Sequence, residues 1–588
     1  MEDTVSSLER YKKMFAESRD LGQQMRKESE IDDDYFHGYQ WTAEERRILR
    51  ERKQPDHVFN RIRPAVLGTL GVIKQGRTDP RAYPRNPQDE DSAEVASKVL
   101  RYIADEQQWD DKRIRGGQDY LISGWTAIEI GVDASKRITA EAISWEEFFF
   151  DQRSRREDFT DARFMGVARW VYADDLAAQF EIEPDKIAGV FEEALSDTFE
   201  DRPKDAQSNW VDRRQRRVLA VMMYHRHGAE WRRCLFYAGG ILEEGPSPYV
   251  DGDGNPACGI EAQACFVDRE NNRYGIVRDM RGPQDEINKR RSKLLNLLNN
   301  RQVQASNELA MNTDADEVRK EASRPDGVLP VGWQPVALND LTGGQFSLLQ
   351  EAKDEIERYG PNPAVLGRSG ESSSGRAQLV RQQAGLTELT VIFGGLEQWE
   401  LRVYRAMWSR ARQFWDEPQF IRITDDDGAA EFVGINQPIN GPAQVIMDPA
   451  TGMPTIMPTV LGYENQLAEL DVDITLDTVP DTANIAQEQF QALVDLARSG
   501  VQIPPQILIE ASSLPKKREI IEKMSGDSEE GQQAAQEAAQ AKEMAMAGQM
   551  AEIEETKSKA AKNNADAEAS KAGSIIKAFE AGMNSQAV

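Results

Sequence analysis

The chain predicts an α+β fold that is mainly helical. Three observations carry this. Apolar residues recur at helical spacing over long stretches, the longest running from 376 to 416. One block, from about 120 to 265, alternates apolar and polar residues as strands do. β texture then returns only at 420–480, ahead of a helical end. At 588 residues the chain exceeds one ordinary core, so several domains are expected, and 39% hydrophobic with 29% charged residues fits a soluble globular protein. No run of eighteen apolar residues occurs, and MEDTVSSLERYKKMFAESRD lacks the apolar centre of a signal peptide, so neither membrane insertion nor secretion by that route is expected.

Residues 1–53 carry helical charge patterns, clearest in TAEERRILRERK. PDHVFNRIRPAVLGTLGVIKQ reads as a strand-like or short helical entry, and TDPRAYPRNPQ as a proline-rich turn. Ser92 is placed to cap a helix in which Val95, Val99, Tyr102 and Ile103 share a face. From Tyr120 onward WTAIEIGVD and RITAEAISW form a hairpin around Ala134 and Ser135, followed by strands in VLAVMMYHRH, WRRCLFYAGG and ACFVDRENN. Pro283 suits a first helical position, with Asp285 and Glu286 in the first turn and Lys289, Arg290, Arg291 and Lys293 further along; Ile287, Leu294, Leu295 and Leu298 make its apolar stripe. Residues 302–345 are polar. Leu349, Ala352, Ile356 and Tyr359 then share a side of a helix stopped by Gly360–Pro361. The helix 376–416 is expected to bend at Gly394–Gly395, with Phe393, Trp399, Tyr404, Trp408, Phe414 and Trp415 as core. ITDDDGAAEFVGI and ELDVDITLDTVP read as strands, NIAQEQFQALVDLARSG and PPQILIEASSLPKKREIIEKM as helices. The last sixty or so residues have helix propensity but few large apolar side chains, a composition that is helical only when neighbours bundle with it.

Two stretches imitate chemical motifs. GESSSGRAQL has glycines at 370 and 375 as a phosphate-binding loop does, but Arg376 stands for the required Lys, Ala377 for the hydroxyl residue, and no buried strand precedes it; a mobile loop is the better reading. DGDGNPACGIEA fails as a calcium loop because Pro256 and Ala262 occupy the Gly and Glu positions, which leaves a hairpin turn. Cys234, Cys258 and Cys265 form no CxxC pair, and His225 with His227 lack a third ligand, so neither disulfides nor a metal centre is expected. No cofactor is called for. A net charge of −28 argues against gripping nucleic acid through the whole surface, since that affinity comes from neutralising phosphates. It does not oppose a protein past which DNA slides.

The phrases FNRIRPAVLGTLGVIKQGRTDPRAYPRN, YGIVRDMRGPQDEINKRRS and SSSGRAQLVRQQAG, in this order, resemble the portal proteins of tailed bacteriophages, in the short-tailed, P22-type branch. The likeness spans about residues 35–525. It implies an N-terminal region and mixed α/β wing over 1–282, a first stem helix at 283–301, a clip at 302–344, a second stem helix at 345–360, a tunnel loop at 361–375, a long helix with returning wing strands at 376–482, a crown at 483–525, and a helical barrel extension or disordered tail at 526–588. It implies no catalysis. It implies a ring, typically a dodecamer, at the unique portal vertex of the virion, assembled in the host cytoplasm. Double-stranded DNA would pass through the ring, driven by a terminase whose large subunit is a separate ATPase. Major capsid and scaffolding proteins and tail adaptors would be the other partners. Arg368, Glu371, Ser372, Ser373, Ser374 and Arg376 would face DNA, Lys289, Arg290, Arg291 and Lys293 would give the stem a basic cluster, and Ile287, Leu294, Leu298, Leu349 and Ile356 would pack stem helices against neighbouring copies. The rival readings are a nucleotide-driven DNA motor, supported only by the near-miss loop, a tight nucleic-acid binder, disfavoured by charge, and a head-tail adaptor ring, for which the chain is large.

Overall fold

The computed structural model describes residues 2–52, 54–75, 78–85, 90–183, 210–299 except 213, 303–305, 314–335 except 323 and 325, 339–359, 375–424, 430–441, 444–447, 454–457, 460–478 and 504–510, with a few single residues in 186–191 and 490–494. Two compact units result: Met1–Ile423 with Glu431–Asp481, and Thr424–Ala430 with Thr482–Val588. Of the second, the helix Pro505–Glu510 is described; nearly all of the expected crown and the whole tail 526–588 lie outside the described residues.

Three helices open the first unit, Glu2–Leu21, Gln23–His37 and Ala43–Glu51. Gly38, at φ 97°, ends the second by turning its N–H onto the Asp34 and Tyr35 carbonyls, a conformation glycine adopts without strain. Thr42 starts the third with a reciprocal capping box: its hydroxyl accepts from the Glu45 amide at 3.2 Å, and its own amide donates to the Glu45 carboxylate at 3.1 Å.

The strands sort into blocks. The hairpin Trp125–Val132 with Ile138–Ile143 forms in the register Val132↔Ile138, and Ile260–Ala264 pairs on its other side. Its turn is closed by Asp133, whose carboxylate accepts the Ser135 and Arg137 amides at 2.8 Å. A six-stranded antiparallel sheet follows, ordered Phe148–Phe150, Phe164–Tyr172, Arg217–His227, Glu230–Tyr237, Gly240–Pro246, with Val211–Asp212 on the middle strand. One face is covered by the first helix through Tyr11 and Phe15; Trp125, Phe148, Phe150 and Phe159 form another core cluster. DGDGNPACGIEA is a turn, bridged Val250↔Pro256, with the Asp251 carboxylate accepting two amides of the turn.

Several boundaries differ from the sequence reading. TDPRAYP is a strand, Thr78–Pro84, paired with Val472–Thr478, because a two-stranded sheet is all edge and tolerates proline there. The helix ahead of it is Ile62–Gln75. Ser92 does not cap: its helix is Glu90–Glu106, three residues earlier than a cap there implies, with Val99 and Ile103 buried. Tyr120 ends a helix, Trp109–Ile122, rather than opening a strand, and Ala173–Phe180 is a helix inside the β block. Gly124, at φ 99°, connects that helix to its strand where a Cβ would lie 2.4 Å from the Tyr274 backbone. The helix placed at 283 begins at Val277, since Val277 and Met280 are both buried, so Pro283 stands inside it. The next helix, Asn339–Tyr359, starts before 345.

The helix Gly375–Phe414 runs unbroken through Gly394–Gly395. Gly395 permits close approach instead: a Cβ there would meet the Tyr120 hydroxyl at 2.4 Å, the group that donates to the Ile392 carbonyl at 3.2 Å. Trp399, Tyr404, Trp408 and Trp415 are core, as their spacing implies. Trp109 stacks at a tilt on Trp399, 5.4 Å between centroids, and donates its indole N–H to Glu400 at 3.1 Å.

Candidate functional site

The helices Val277–Asn299 and Asn339–Tyr359 pack on each other and on Ile62–Gln75. Their shared apolar surface belongs to the subunit's own core: Ile287, Leu349, Ala352 and Ile356 are buried, and Leu294 is half-buried against them. The stripe therefore satisfies itself within one chain. Leu298 lies on the first helix, but its side chain falls outside the described residues, and Tyr359 is exposed.

The neighbouring face of Val277–Asn299 is the feature that sequence reading missed. Gln284, Asn288 and Ser292, spaced i, i+4, i+8, are each at most 2% exposed. They bind the extended segment 55–61 backbone to side chain. Gln284 accepts from the Arg61 amide at 2.9 Å and donates to the Phe59 carbonyl at 3.1 Å. Asn288 accepts from the Phe59 amide at 2.9 Å and donates to Gln40 at 2.7 Å, while Ser292 donates to the Pro55 carbonyl at 2.6 Å. An extended segment lying on a helix has no ladder of its own, so side chains must pair its buried backbone. The only signal in the sequence was a polar row at helical spacing, which reads as a solvated face.

At the start of the same helix, Arg278 and Arg281 bracket the fully buried Asp32 at 2.9 and 3.1 Å, and Arg281 also reaches Glu28 at 2.7 Å. Burial pushes the Asp32 carboxyl up to about 6 against the pull of both guanidiniums. Tyr35 donates to Asp285 at 2.7 Å, and burial and that carboxylate raise its phenol.

The basic cluster is largely engaged inside the chain. Lys289 lies 3.4 Å from Glu45 and 3.7 Å from Asp285, Arg290 pairs with Glu286 and donates to Gln345 at 3.1 Å, and Arg291 covers the Phe59 ring at 3.9 Å. Lys293 is exposed. Between the two helices, the strands Val303–Ala305 and Trp333–Pro335 pair and Ala315–Ala322 is helical. Arg368, Glu371, Ser372, Ser373 and Ser374 lie outside the described residues; Arg376 is the second residue of the long helix, its side chain likewise outside them.

Among the described residues no three His, Cys, Asp or Glu side chains are grouped to hold a metal ion, and no helix is long and apolar enough to cross a membrane. Burial raises all three thiols. What the region offers is mechanical: two long helices joined by a polar segment, braced on one face by apolar packing and on the next by a buried polar ladder.

A similar protein is the portal protein of Helicobacter pylori bacteriophage KHP30, 22% identical over 427 residues. That match takes in 68% of this chain and 66%, just under two thirds, of the relative's length. The phage P22-like portal protein family matches residues 12–570, nearly the whole of the 588. The chain belongs to that family.

Proposed function

We propose that this chain is the portal of a phage head, assembling into a ring through which double-stranded DNA is packaged and later released. The observation that carries the reading is that the family match runs across both long helices, the polar segment between them, and the 40-residue helix that follows. In this reading Val277–Asn299 and Asn339–Tyr359 are stem helices and the residues between them a clip that docks the terminase large subunit and then tail adaptors. Residues 361–375 are a tunnel loop, the strands on either side of the long helix a wing, and 483–525 a crown. The ring, a dodecamer, sits at one vertex of the virion among major capsid and scaffolding proteins, having assembled in the host cytoplasm.

The charge supports a conduit. A chain of net −28, multiplied around a ring, repels a duplex carrying one charge per about 1.7 Å of axis. Screening confines the repulsion to about 8 Å at physiological salt, so it acts at the wall and keeps DNA from adhering. With Lys289 and Arg290 paired to Glu45 and Glu286, the positive charge left on this cluster is that of Arg291, over the Phe59 ring, and the exposed Lys293. Arg368 and Arg376 give the loop weak phosphate contacts, moderated by Glu371.

Negative-stain imaging of the purified full-length protein tests the reading. Rings with a central hole are the expected outcome, and a compact monomer at every concentration overturns it.

A further inference from the structure

We propose that the paired strands Gln437–Asn440 and Val460–Glu464 form an arm that packs, by its side-chain faces, onto the neighbouring copy of this chain. Gln437–Asn440 pairs with Val460–Glu464, and Gln444–Met447 with Pro454–Met457. The first pairing shifts register between Ile439 and Asn440, and the second is a separate two-stranded ladder. Four to five residues per strand at about 3.3 Å each give the first pairing a length of roughly 15 Å. No third strand pairs with it among the described residues.

None of the ribbon's described side chains is buried, and Ile439, Val460, Leu461 and Tyr463 are 46–70% exposed. In the sequence from 437 to 464 the only charged residues are Asp448 and Glu464. At its root, Gln437 donates to the Gln419 carbonyl at 3.1 Å, joining it to the hairpin Gln419–Thr424 with Ala430–Ile435. That hairpin buries Ile421, Ile423, Val433 and Ile435 and leaves Phe420 and Phe432 outside, 70% and 68% exposed. The apolar surface thus continues from ribbon to root.

A two-stranded ribbon is at best marginal alone in water, and an apolar one needs cover. Pro438 in the first pairing and Pro454 in the second remove backbone donors, which blunts the edges against strand addition and leaves the faces as the means of contact. Area selects the occupant. A face roughly 15 Å by 10 Å offers about 150 Å², far below the ~800 Å² per partner in a standard stable interface. It is too small to hold a separate protein by itself. It suits a supplementary contact between copies that other surfaces already bring together, and in a closed ring every copy gives one arm and receives one. The inference rests on the ring reading above.

The test uses the full chain carrying Leu461→Lys and Tyr463→Lys, singly and together. Sedimentation velocity over a concentration series reads ring formation, and thermal unfolding of the dilute, unassembled chain reads the subunit. The expected result is that the concentration at which rings form rises about tenfold or more while subunit melting stays unchanged. Wild-type rings with no shift in either variant overturn the arm alone. So does a drop in subunit melting temperature, which would put the ribbon against its own subunit, and so do intact rings that fail to enter capsids, which would assign it to the shell. A wild-type chain that forms no ring removes the ring reading and the arm with it.

Discussion

The six-stranded sheet and the ribbon Gln437–Asn440 with Val460–Glu464 are both built from antiparallel pairs, and they dispose of their apolar side chains in opposite ways. In the sheet, Phe149, Val221, Met223 and Phe236 meet Tyr11 and Phe15 from the first helix, and Phe148 and Phe150 pack with Trp125 and Phe159. In the ribbon, side chains of the same character stand in solvent. The contrast separates the apolar surface this chain covers itself from the apolar surface it leaves exposed. Free energy already gained within the subunit cannot also hold a ring together, so the helix pair, whose apolar stripe is closed inside one chain, belongs with the sheet. An aspartate at Ile356 would attack the subunit's fold first.

The largest way to break the comparison lies in the sheet. Phe150 is fully buried, its ring 4.7 Å from Phe159 and 5.6 Å from Phe148, with the Arg273 guanidinium 4.7 Å above it. Phe150→Ala is expected to cost about 3–5 kcal/mol of subunit stability in urea unfolding. A loss under about 1 kcal/mol would mean the cluster is far looser than it stands.

His225 gives the sheet a pH dependence that the ribbon, with no histidine, lacks. It lies beneath Tyr11, 5.1 Å between ring centroids, and its Nε2 has no hydrogen-bond partner among the described residues. Burial, with Arg10, Arg232 and His227 adding repulsion against the attraction of Glu244, lowers its pKa to about 4 from 6.5. The folded state holds the neutral ring where the unfolded chain takes a proton. The stability tied to this group is therefore complete above pH 6.5 and is lost as pH falls toward 4, by up to about 3 kcal/mol. His225→Phe keeps the ring and removes the titration, so unfolding free energies of variant and wild type should converge at pH 7 and diverge at pH 4.5 in the variant's favour.

The helix Val277–Asn299 sharpens the boundary within one element. Asn288→Ala strips the Phe59 amide, Gln284 and Gln40 of a buried partner and should cost about 1–3 kcal/mol. Lys293→Ala, at an exposed position on the same helix, should stay within about 0.5 kcal/mol. Equal effects would show that the polar ladder is not what fastens the helix to residues 55–61.

These cases also mark how far the sequence was readable. The hairpin 125–143 and the aromatic face of the long helix declared themselves because strong periodicity coincides with local contacts. The strand 78–84 did not: its partner lies some 390 residues away in the chain, and its prolines read as a turn. Pro283 looked like a helix start because proline favours that position, yet burial of Val277 and Met280 carries the helix further back. Gln284, Asn288 and Ser292 drew no reading from the sequence, because nothing local reveals the extended segment laid over them. The basic residues at 289–291 were visible as a cluster, whereas their partners Glu45 and Phe59 come from a region more than 230 residues earlier. The proposed tunnel-loop residues 368–374 are beyond the described chain, so their place in the site rests on the family's order of elements.

The smallest effect is expected where the side chain is among the largest. Phe432 and Val433 are neighbours on one strand, 68% and 8% exposed. Burial rather than size sets what a side chain contributes, because only area removed from water is counted, at about 25 cal/mol per Å². Val433→Ser takes methyls out of a filled core and leaves a hydroxyl there, a loss of about 1–3 kcal/mol. Phe432→Ser, on the outer face, should leave the dilute subunit within about 0.5 kcal/mol of wild type. The measurement is urea unfolding of both variants at a concentration where no ring forms. If Phe432→Ser proves as costly as Val433→Ser, the outer face of this hairpin is covered within its own subunit, and the division between a finished sheet and an unfinished ribbon moves outward to exclude it.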